Sequence, residues 1–240
     1  MKASFSIVIP VRFNSSRFRG KPLKIIKSIP LMIWVGKKCQ QVTSGKNIFF
    51  ATDNKKIFDT AIKFNFSSIM TSKKCLTGTD RVAEASKSIK KKIIINVQGD
   101  EPLVSGSDIK KVLKKKIQYP NHIICGYNEI NTDPKNTDIP KVVFKKNKDL
   151  LYISRSLIPG MKKKKNIPYY RQVCVYAFNQ NELKRFSATN KKTYLEKIED
   201  IEILRFIELN MPIKMVKLSS NNFLAVDRPE HAKLISNYLK

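Results

Sequence analysis

Two acidic segments of the sequence could hold a divalent cation. Residues 96–102 read NVQGDEP and begin in the last two residues of the apolar run 92–97. That run predicts a buried strand. Asp100 would stand at the end of that strand, where it could hold Mg²⁺, because this ion usually takes only one or two protein carboxylates. A turn role remains an alternative for Asp100. Asp227, in AVDRPE, could be a second ligand. Taken alone, however, this segment favours a role for Asp227 as the cap of the last helix.

A basic loop, RFNSSRFRGKPL at residues 12–23, follows the first predicted strand. Its cations and its glycine stand among small polar residues: Arg12, Arg17, Arg19, Lys21 and Gly20. Guanidinium groups and backbone N–H groups are what phosphate oxygens need, so the loop could hold a triphosphate. The loop matches neither of the two common glycine-rich phosphate motifs. Taken alone, it is equally consistent with a charged surface loop.

Two other polar segments have both a structural and a functional interpretation. Residues 77–81, TGTDR, could contact a base or ribose, or could cap the helix that they enter. Residues 194–205, YLEKIEDIEILR, carry glutamate at every third position, which is typical of a solvated amphipathic helix. The two histidines lie near no recognisable nucleophile, and GxSxG and HExxH are absent, so the sequence argues against triad chemistry.

The elements that must position these segments alternate between strand and helix as far as residue 116. Strands are predicted at 4–10, 47–51, 68–70 and 92–97, and helices at 30–41, 55–64, 80–88 and 108–116. This order predicts a parallel, three-layer α/β/α sheet with ligands at the carboxyl ends of its strands. The basic loop and residues 98–102 both lie at such ends.

The second half of the chain is more mixed. Strands are predicted at 122–128, 140–145, 174–178 and 213–218, helices at 194–210 and 229–239, and an exposed loop tip at 162–165. Because no linker or repeat interrupts the sequence, we expect a single domain over residues 1–240, with about 120–190 contributing a lateral lobe.

Composition excludes several classes of protein. The net charge is +28, but the lysine runs fall at separate helix ends or loops, which favours a dispersed solvated surface over a nucleic-acid site. No apolar run is long enough to span a bilayer, and no export signal is recognisable, so we expect a cytoplasmic protein without membrane insertion. The four cysteines form no CxxC pair, which predicts free, buried thiols rather than zinc or disulfides.

Taken together, the segments resemble the 3-deoxy-manno-octulosonate cytidylyltransferase (CMP-Kdo synthetase) family. The matching blocks run in collinear order through nearly the whole chain: IVIPVRFNSSRFRGKPL, ATDNKKI, TGTDRVAEA, NVQGDEP, PKVVF, YISRSLIP, YRQVCVYAF, LEKIEDIEILR and VDRPE. The resemblance implies a Rossmann-like nucleotidyltransferase sheet with a smaller lateral dimerisation lobe, and a homodimer. It also implies that the anomeric 2-hydroxyl of a 3-deoxy-ulosonic acid such as Kdo attacks the α-phosphorus of CTP. The products would be a CMP-sugar for surface-polysaccharide synthesis and pyrophosphate.

The resemblance further implies the site residues. Arg12, Arg17 and Lys21 would hold the triphosphate, and Thr79 and Arg81 would lie near the nucleotide. Asp100 and Asp227 would bind Mg²⁺ and, with Lys21, would be catalytic. The sugar side would be formed by Gln98, Arg155, Gln172, Tyr176 and Glu202, with Arg155 as the candidate partner of an anionic group.

The sequence departs from the family pattern at four positions within the matching blocks. Arg19 stands where the family has Pro, Gln172 where it has His, Cys174 where it has Gly, and Ile203 where it has Gln. The nucleotide half of the site is thus intact and the acceptor half is altered. Kdo is the expected acceptor, a related or amino-substituted ulosonic acid is the alternative, and a basic nucleic-acid-binding protein is the distant one.

Overall fold

The protein is described by a computed structural model that covers residues 4–14, 18–163, 167–219, 225–226 and 228–239 of the chain. Arg17 and Asp227, which the sequence assigned to the site, lie outside the described residues, as do residues 164–165 of the predicted loop tip. Within the described part, no helix has both the length and the apolar composition needed to cross a membrane.

A mixed sheet forms the centre of the molecule. The strands of the described residues are β1 (Phe5–Val11), β2 (Ile25–Ile26), β3 (Ile29–Pro30), β4 (Ile48–Thr52), β5 (Ser67–Met70), β6 (Ile93–Val97), β7 (Ile123–Glu129), β8 (Lys141–Phe144), β9 (Leu150–Ser154), β10 (Tyr170–Asn179) and β11 (Ile213–Lys217). The main path of the sheet runs β11-β7-β10-β6-β1-β4-β5, with β8 and β9 branching from β10. The run β6-β1-β4-β5 is parallel, as predicted, whereas β10 is antiparallel to both β6 and β7.

Helices cover both faces of this sheet. They are α1 (Leu31–Gln40), α2 (Lys55–Lys63), α3 (Gly78–Ser86), α4 (Gly106–Gln118), α5 (Gln180–Ser187), α6 (Tyr194–Glu199), α7 (Leu204–Glu208) and α8 (Pro229–Ser236). Side chains of α1, α2 and α4 pack in one apolar cluster, and those of α3, α5 and α7 pack in a second. Successive β1 residues alternate between the clusters, since Ile7 and Ile9 belong to the first and Val8 to the second. The predicted three-layer α/β/α architecture is therefore confirmed.

The single helix predicted at 194–210 is wrong. The segment forms two short helices, α6 and α7, and Asp200 between them adopts the left-handed conformation with φ 49° and ψ 48°. An L-residue other than glycine is disfavoured there, although Asp tolerates it better than most. The glutamate repeat does not mark a solvated helix either, because Glu196 is fully buried.

Two expectations from composition also need correction. Lys116, part of a predicted surface lysine run, is 1% exposed, and its amine donates to both carboxylate oxygens of Glu182 at 2.7 Å. The thiols are free as predicted, but only Cys39 and Cys125 are buried, whereas Cys75 and Cys174 are partly exposed. Sequence analysis also missed β9, α5 and the small β2–β3 hairpin. The lateral lobe stays a prediction.

Candidate active site

One cleft of about 260 Å³ opens where β1 and β6 end and α3 begins. Six of the residues assigned from the sequence line it: Arg12, Lys21, Arg81, Gln98, Asp100 and Glu202. They come from four separate segments of the chain, so the sheet brings together groups that the sequence could only assign one segment at a time. Thr79, Arg155, Gln172 and Tyr176 do not line the cleft.

The basic loop reaches the cleft through a tight turn at Gly20. This residue has φ 71°, and its N–H donates to the Phe13 carbonyl at 3.0 Å, which closes the loop. A residue with a side chain would be strained at this φ. The turn leads directly into a short 3-10 helix, and Lys21 at its start donates from Nζ to Asp100 Oδ2 at 2.7 Å.

A second glycine allows the chain after β6 to pass close to β1. A Cβ atom at Gly99 would lie 3.0 Å from the Pro10 carbonyl oxygen, so only glycine fits without a shift of one segment. Asp100 follows at once, and its carbonyl accepts from the Val226 N–H at 2.9 Å. The residue before Asp227 therefore lies against Asp100. This packing holds the NVQGDEP turn between the basic loop and the C-terminal segment.

The donor set around Asp100 is compatible with Mg²⁺. The Asp100 side chain is 30% exposed and faces the cleft, where it is paired with Lys21. The described residues contain no group of three or more His, Cys, Asp and Glu side chains that could hold a metal. Mg²⁺ does not need such a group, because one or two carboxylates together with water and phosphate oxygens complete its octahedron. The carboxylate of Asp100 meets that minimum.

Arg81 forms a rigid part of the cleft wall. Its side chain is 6% exposed, and its guanidinium donates to Thr71 Oγ1 at 2.5 Å and to Asp53 Oδ2 at 3.0 Å. Asp53 follows β4, so the carboxyl end of a third parallel strand contributes to the site. These bonds fix the plane of the guanidinium before any ligand arrives.

Glu202 binds the N-terminus of α3. Its carboxylate accepts from the Gly78 N–H at 2.9 Å, the Thr79 N–H at 2.8 Å and the Thr79 hydroxyl at 2.5 Å. Unpaired N–H groups at a helix start attract an anion in this way. A Cβ atom at Gly78 would lie 3.3 Å from Glu202 and 3.5 Å from the Gln98 amide, so Gln98 and Glu202 meet beside this glycine. Burial raises the pKa of Glu202, against the lowering effect of these three hydrogen bonds.

A buried ionic cluster that the sequence did not reveal holds this arrangement from behind. Arg205 is fully buried and donates to both oxygens of Glu196, at 2.6 and 2.7 Å. The same guanidinium donates to both oxygens of Asp80 on α3, at 2.7 and 3.1 Å. It also stacks 3.8 Å above the Phe186 ring. The cluster therefore joins α6, α7 and α3, and Glu202 and the α3 N-terminus keep one relative position.

Gln172 and Tyr176 form a buried pair behind the cleft. The Gln172 amide donates to the Tyr176 hydroxyl at 3.0 Å, and each residue is 4% exposed. Burial raises the pKa of Tyr176 well above its ordinary value, so this phenol stays protonated. Ile203, which departs from the family pattern, is 2% exposed inside the apolar cluster of α3, α5 and α7.

Arg155 holds a turn beside the cleft. Its Nε donates to the Glu199 carbonyl at 2.7 Å, Nη1 to the Thr137 carbonyl at 3.1 Å and Nη2 to the Asp200 carbonyl at 3.3 Å. Sequence analysis missed two charged residues of the cleft lining, Lys192 and Asp200. No signal in the sequence distinguished them from the many charges of a solvated surface.

Comparison with known proteins gives the family. A family model described as "Cytidylyltransferase" matches residues 6–214. The chain is 34% identical to a 3-deoxy-manno-octulosonate cytidylyltransferase of Fusobacterium nucleatum subsp. nucleatum, over 97% of this chain and 96% of that one. It is 35% identical to an 8-amino-3,8-dideoxy-manno-octulosonate cytidylyltransferase of Shewanella sp. (strain W3-18-1), over 93% and 94%.

A solved structure leads to the same family. It is that of a CMP:2-keto-3-deoxy-manno-octonic acid synthetase complexed with CTP, which superposes with a TM-score of 0.91 at 28% identity and covers 98% of both chains. The fold, the collinear motifs and these matches lead to one conclusion: the chain belongs to the cytidylyltransferase family that includes the 3-deoxy-manno-octulosonate cytidylyltransferases.

Proposed function

We propose that the protein transfers the cytidylyl group of CTP to the anomeric 2-hydroxyl of a 3-deoxy-ulosonic acid, with Kdo as the expected acceptor. The observation that carries the proposal is that one cleft is lined by Arg12, Lys21 and Asp100 together with Gln98 and Glu202, with Lys21 paired to Asp100 and with Gln98 and Glu202 meeting beside Gly78. Its cations suit a polyphosphate, and its amide and carboxylate groups suit the hydroxyl groups of a polyhydroxy acid. The named relatives act on substrates of this kind.

The reaction requires positioning and charge neutralisation. The acceptor's 2-oxygen forms a bond to the α-phosphorus of CTP as the bond between the α- and β-phosphates breaks. The hydroxyl proton is lost, and pyrophosphate leaves with the electron pair. Arg12, Arg17 and Lys21 bind the triphosphate and stabilise the negative charge that develops on the departing pyrophosphate. Arg81 orders the nucleotide side, whereas Thr79 acts indirectly, since it does not line the cleft and is bonded to Glu202.

Asp100 and Asp227 would hold Mg²⁺ at the phosphates. When bound, this ion would supply positive charge that screens the α-phosphate and lowers the pKa of the attacking hydroxyl. Lys21 holds the Asp100 carboxylate in one orientation through the 2.7 Å ion pair. The carboxylate is thereby ready to accept a cation without a change of rotamer.

The acceptor would lie against Gln98 and Glu202. Thr79 and Gly78 fix the Glu202 carboxylate. Gln172 and Tyr176, which the family resemblance assigns to the sugar, are bonded to each other and do not line the cleft. An amino-substituted ulosonic acid is a second candidate, because relatives of both specificities match this chain at 34% and 35% identity. We further propose a cytoplasmic homodimer that supplies lipopolysaccharide or another surface polysaccharide.

A pyrophosphate-release screen tests this function. Kdo, its 8-amino derivative and sialic-type acids are each combined with CTP, ATP, GTP or UTP, with and without Mg²⁺. We expect release only with CTP, Mg²⁺ and an eight-carbon ulosonic acid together. Release without any acid, or equal release with all four nucleotides, would contradict the proposal.

A further inference from the structure

Lys192 and Asp200 form an ion pair on the lining of the cleft, on the segment that also carries Glu202. Lys192 Nζ lies 2.8 Å from Asp200 Oδ1, and the two side chains are 32% and 74% exposed. Neither residue has a role in the reaction described above. An amine on the lining of the cleft is nevertheless a group that an acidic substrate can reach.

The backbone that carries Asp200 is held in place from two sides. On one side, Arg155 donates to the carbonyls of Glu199 and Asp200, while the Glu199 carboxylate accepts from Ser154 and from the Arg155 N–H. On the other side, Glu202 is bound to the N-terminus of α3. These contacts hold the backbone of the left-handed turn from which the Asp200 carboxylate pairs with Lys192.

Two of the other cations on the cleft lining have partners of a different kind, and the third, Arg12, belongs to the loop assigned to the triphosphate. Arg81 is bonded to Asp53, and Lys21 to Asp100. Each of the three nitrogens of Arg155 donates to a backbone carbonyl, and Arg155 does not line the cleft. Lys192, by contrast, is paired with a carboxylate that is mostly in solvent, and its ammonium group has three N–H donors, so it can bond a second anion without losing Asp200.

We propose that Lys192 binds the carboxylate of the acid acceptor and that Asp200 positions the Lys192 amine for this contact. The inference rests on the proposed function. It names the cation by which the site distinguishes an acidic sugar from a neutral one. The hydrogen bond from Lys192 lowers the pKa of Asp200, so the Asp200 carboxylate is ionised at neutral pH. The acceptor carboxylate then joins an existing ion pair, and the Lys192 amine donates to both carboxylates.

The test uses an acceptor that cannot react, the 2-deoxy form of Kdo, as the free acid and as its 1-carboxamide. Affinity is measured by titration calorimetry in the presence of Mg²⁺. We expect the wild-type protein to bind the acid about tenfold more tightly than the amide, as for a charge-assisted hydrogen bond. Lys192→Gln should lose that preference and bind both forms alike, with its affinity for CTP unchanged.

Two variants separate this contact from general effects of charge. Lys191→Gln removes the neighbouring exposed lysine, which does not line the cleft, and should keep the tenfold preference. Asp200→Asn retains a residue that tolerates the left-handed turn. It should reduce the preference for the acid only a few-fold, because the amine remains but is less well oriented.

Three results would overturn the inference. In the first, Lys192→Gln retains the full preference for the acid. In the second, it loses CTP affinity as much as acid affinity, which would assign Lys192 to the phosphates. The third result is a failure of the wild-type protein to release pyrophosphate with any ulosonic acid. That result would overturn the proposed function together with this contact, whereas the first two leave the function intact.

Discussion

The two walls of the cleft are built in different ways. The nucleotide wall joins the ends of β1 and β6, which are neighbouring parallel strands, and two glycines shape its turns. The acceptor wall joins α3 to the α6–α7 segment through contacts between residues more than 120 positions apart, such as Gly78 with Glu202 and Asp80 with Arg205. The first wall depends on the backbone geometry at the ends of neighbouring strands, and the second on ionic contacts between helices.

The two walls also differ in which of their carboxylates can meet a ligand in the cleft. On the nucleotide wall, Asp100 is partly exposed, so it can meet a cation in the cleft. On the acceptor wall, Glu196, Glu199 and Glu202 are engaged with Arg205, with the segment after β9 and with the α3 N-terminus. Their main role is to hold the wall in shape. Substitutions of these three glutamates or of Arg205 should therefore affect stability first, and those in the nucleotide wall should affect turnover first.

The largest effect on stability is expected for Arg205→Met. It leaves the buried carboxylates of Glu196 and Asp80 without their cation, which typically costs about 3–5 kcal/mol. Urea unfolding should show that loss. Arg185→Met is the matched control, since Arg185 is exposed and bonded to the Leu209 carbonyl, and it should change stability by less than about 0.5 kcal/mol. Equal effects of the two variants would remove the distinction between the walls.

A smaller loss is expected when the family residue is restored at position 203. Because Ile203 is buried among apolar side chains, Ile203→Gln places an amide there and should cost about 1–3 kcal/mol. Ile203→Leu keeps the site apolar and should cost less than about 1.5 kcal/mol. Acceptor KM should hardly change in either variant. A Gln variant of unchanged stability with a lower acceptor KM would mean that position 203 faces the substrate.

The smallest effect is a pH dependence at Glu202. Because burial raises the pKa of Glu202 above 4.5, the folded protein holds this proton more tightly than the unfolded chain does. Its contribution to stability is therefore largest below about pH 4.5 and falls as pH rises through the folded pKa.

The comparison of wild type with Glu202→Gln isolates this contribution, since the amide does not titrate. The difference in unfolding free energy, wild type minus variant, should fall with rising pH, by about 1.4 kcal/mol for each unit that separates the folded and unfolded pKa values. A difference that rises with pH would mean that the α3 N-terminus outweighs burial.

The same contrast explains what could be predicted from the sequence. The strand alternation up to residue 116 was predictable, because apolar runs and turn residues act locally, and so was the placement of Arg12, Lys21 and Asp100 at strand ends. The break at Asp200 was not, because the repeat of Glu196, Glu199 and Glu202 looks like that of a solvated helix. Only the fold supplies Arg205, Arg155 and the α3 N-terminus as their partners. For the same reason, Lys192 could not be distinguished from other surface lysines.

The most direct test of the account is the turnover of Asp100→Asn. The variant keeps the shape of the side chain but removes the charge that Lys21 orients. We predict that kcat for Mg²⁺-dependent pyrophosphate release from CTP and Kdo falls about 10²–10³-fold, with stability within about 1 kcal/mol of wild type. Asp59→Asn, which breaks an exposed pair with Lys55, should keep full activity. Turnover of Asp100→Asn at the wild-type rate would contradict the claim that the nucleotide wall carries the chemistry.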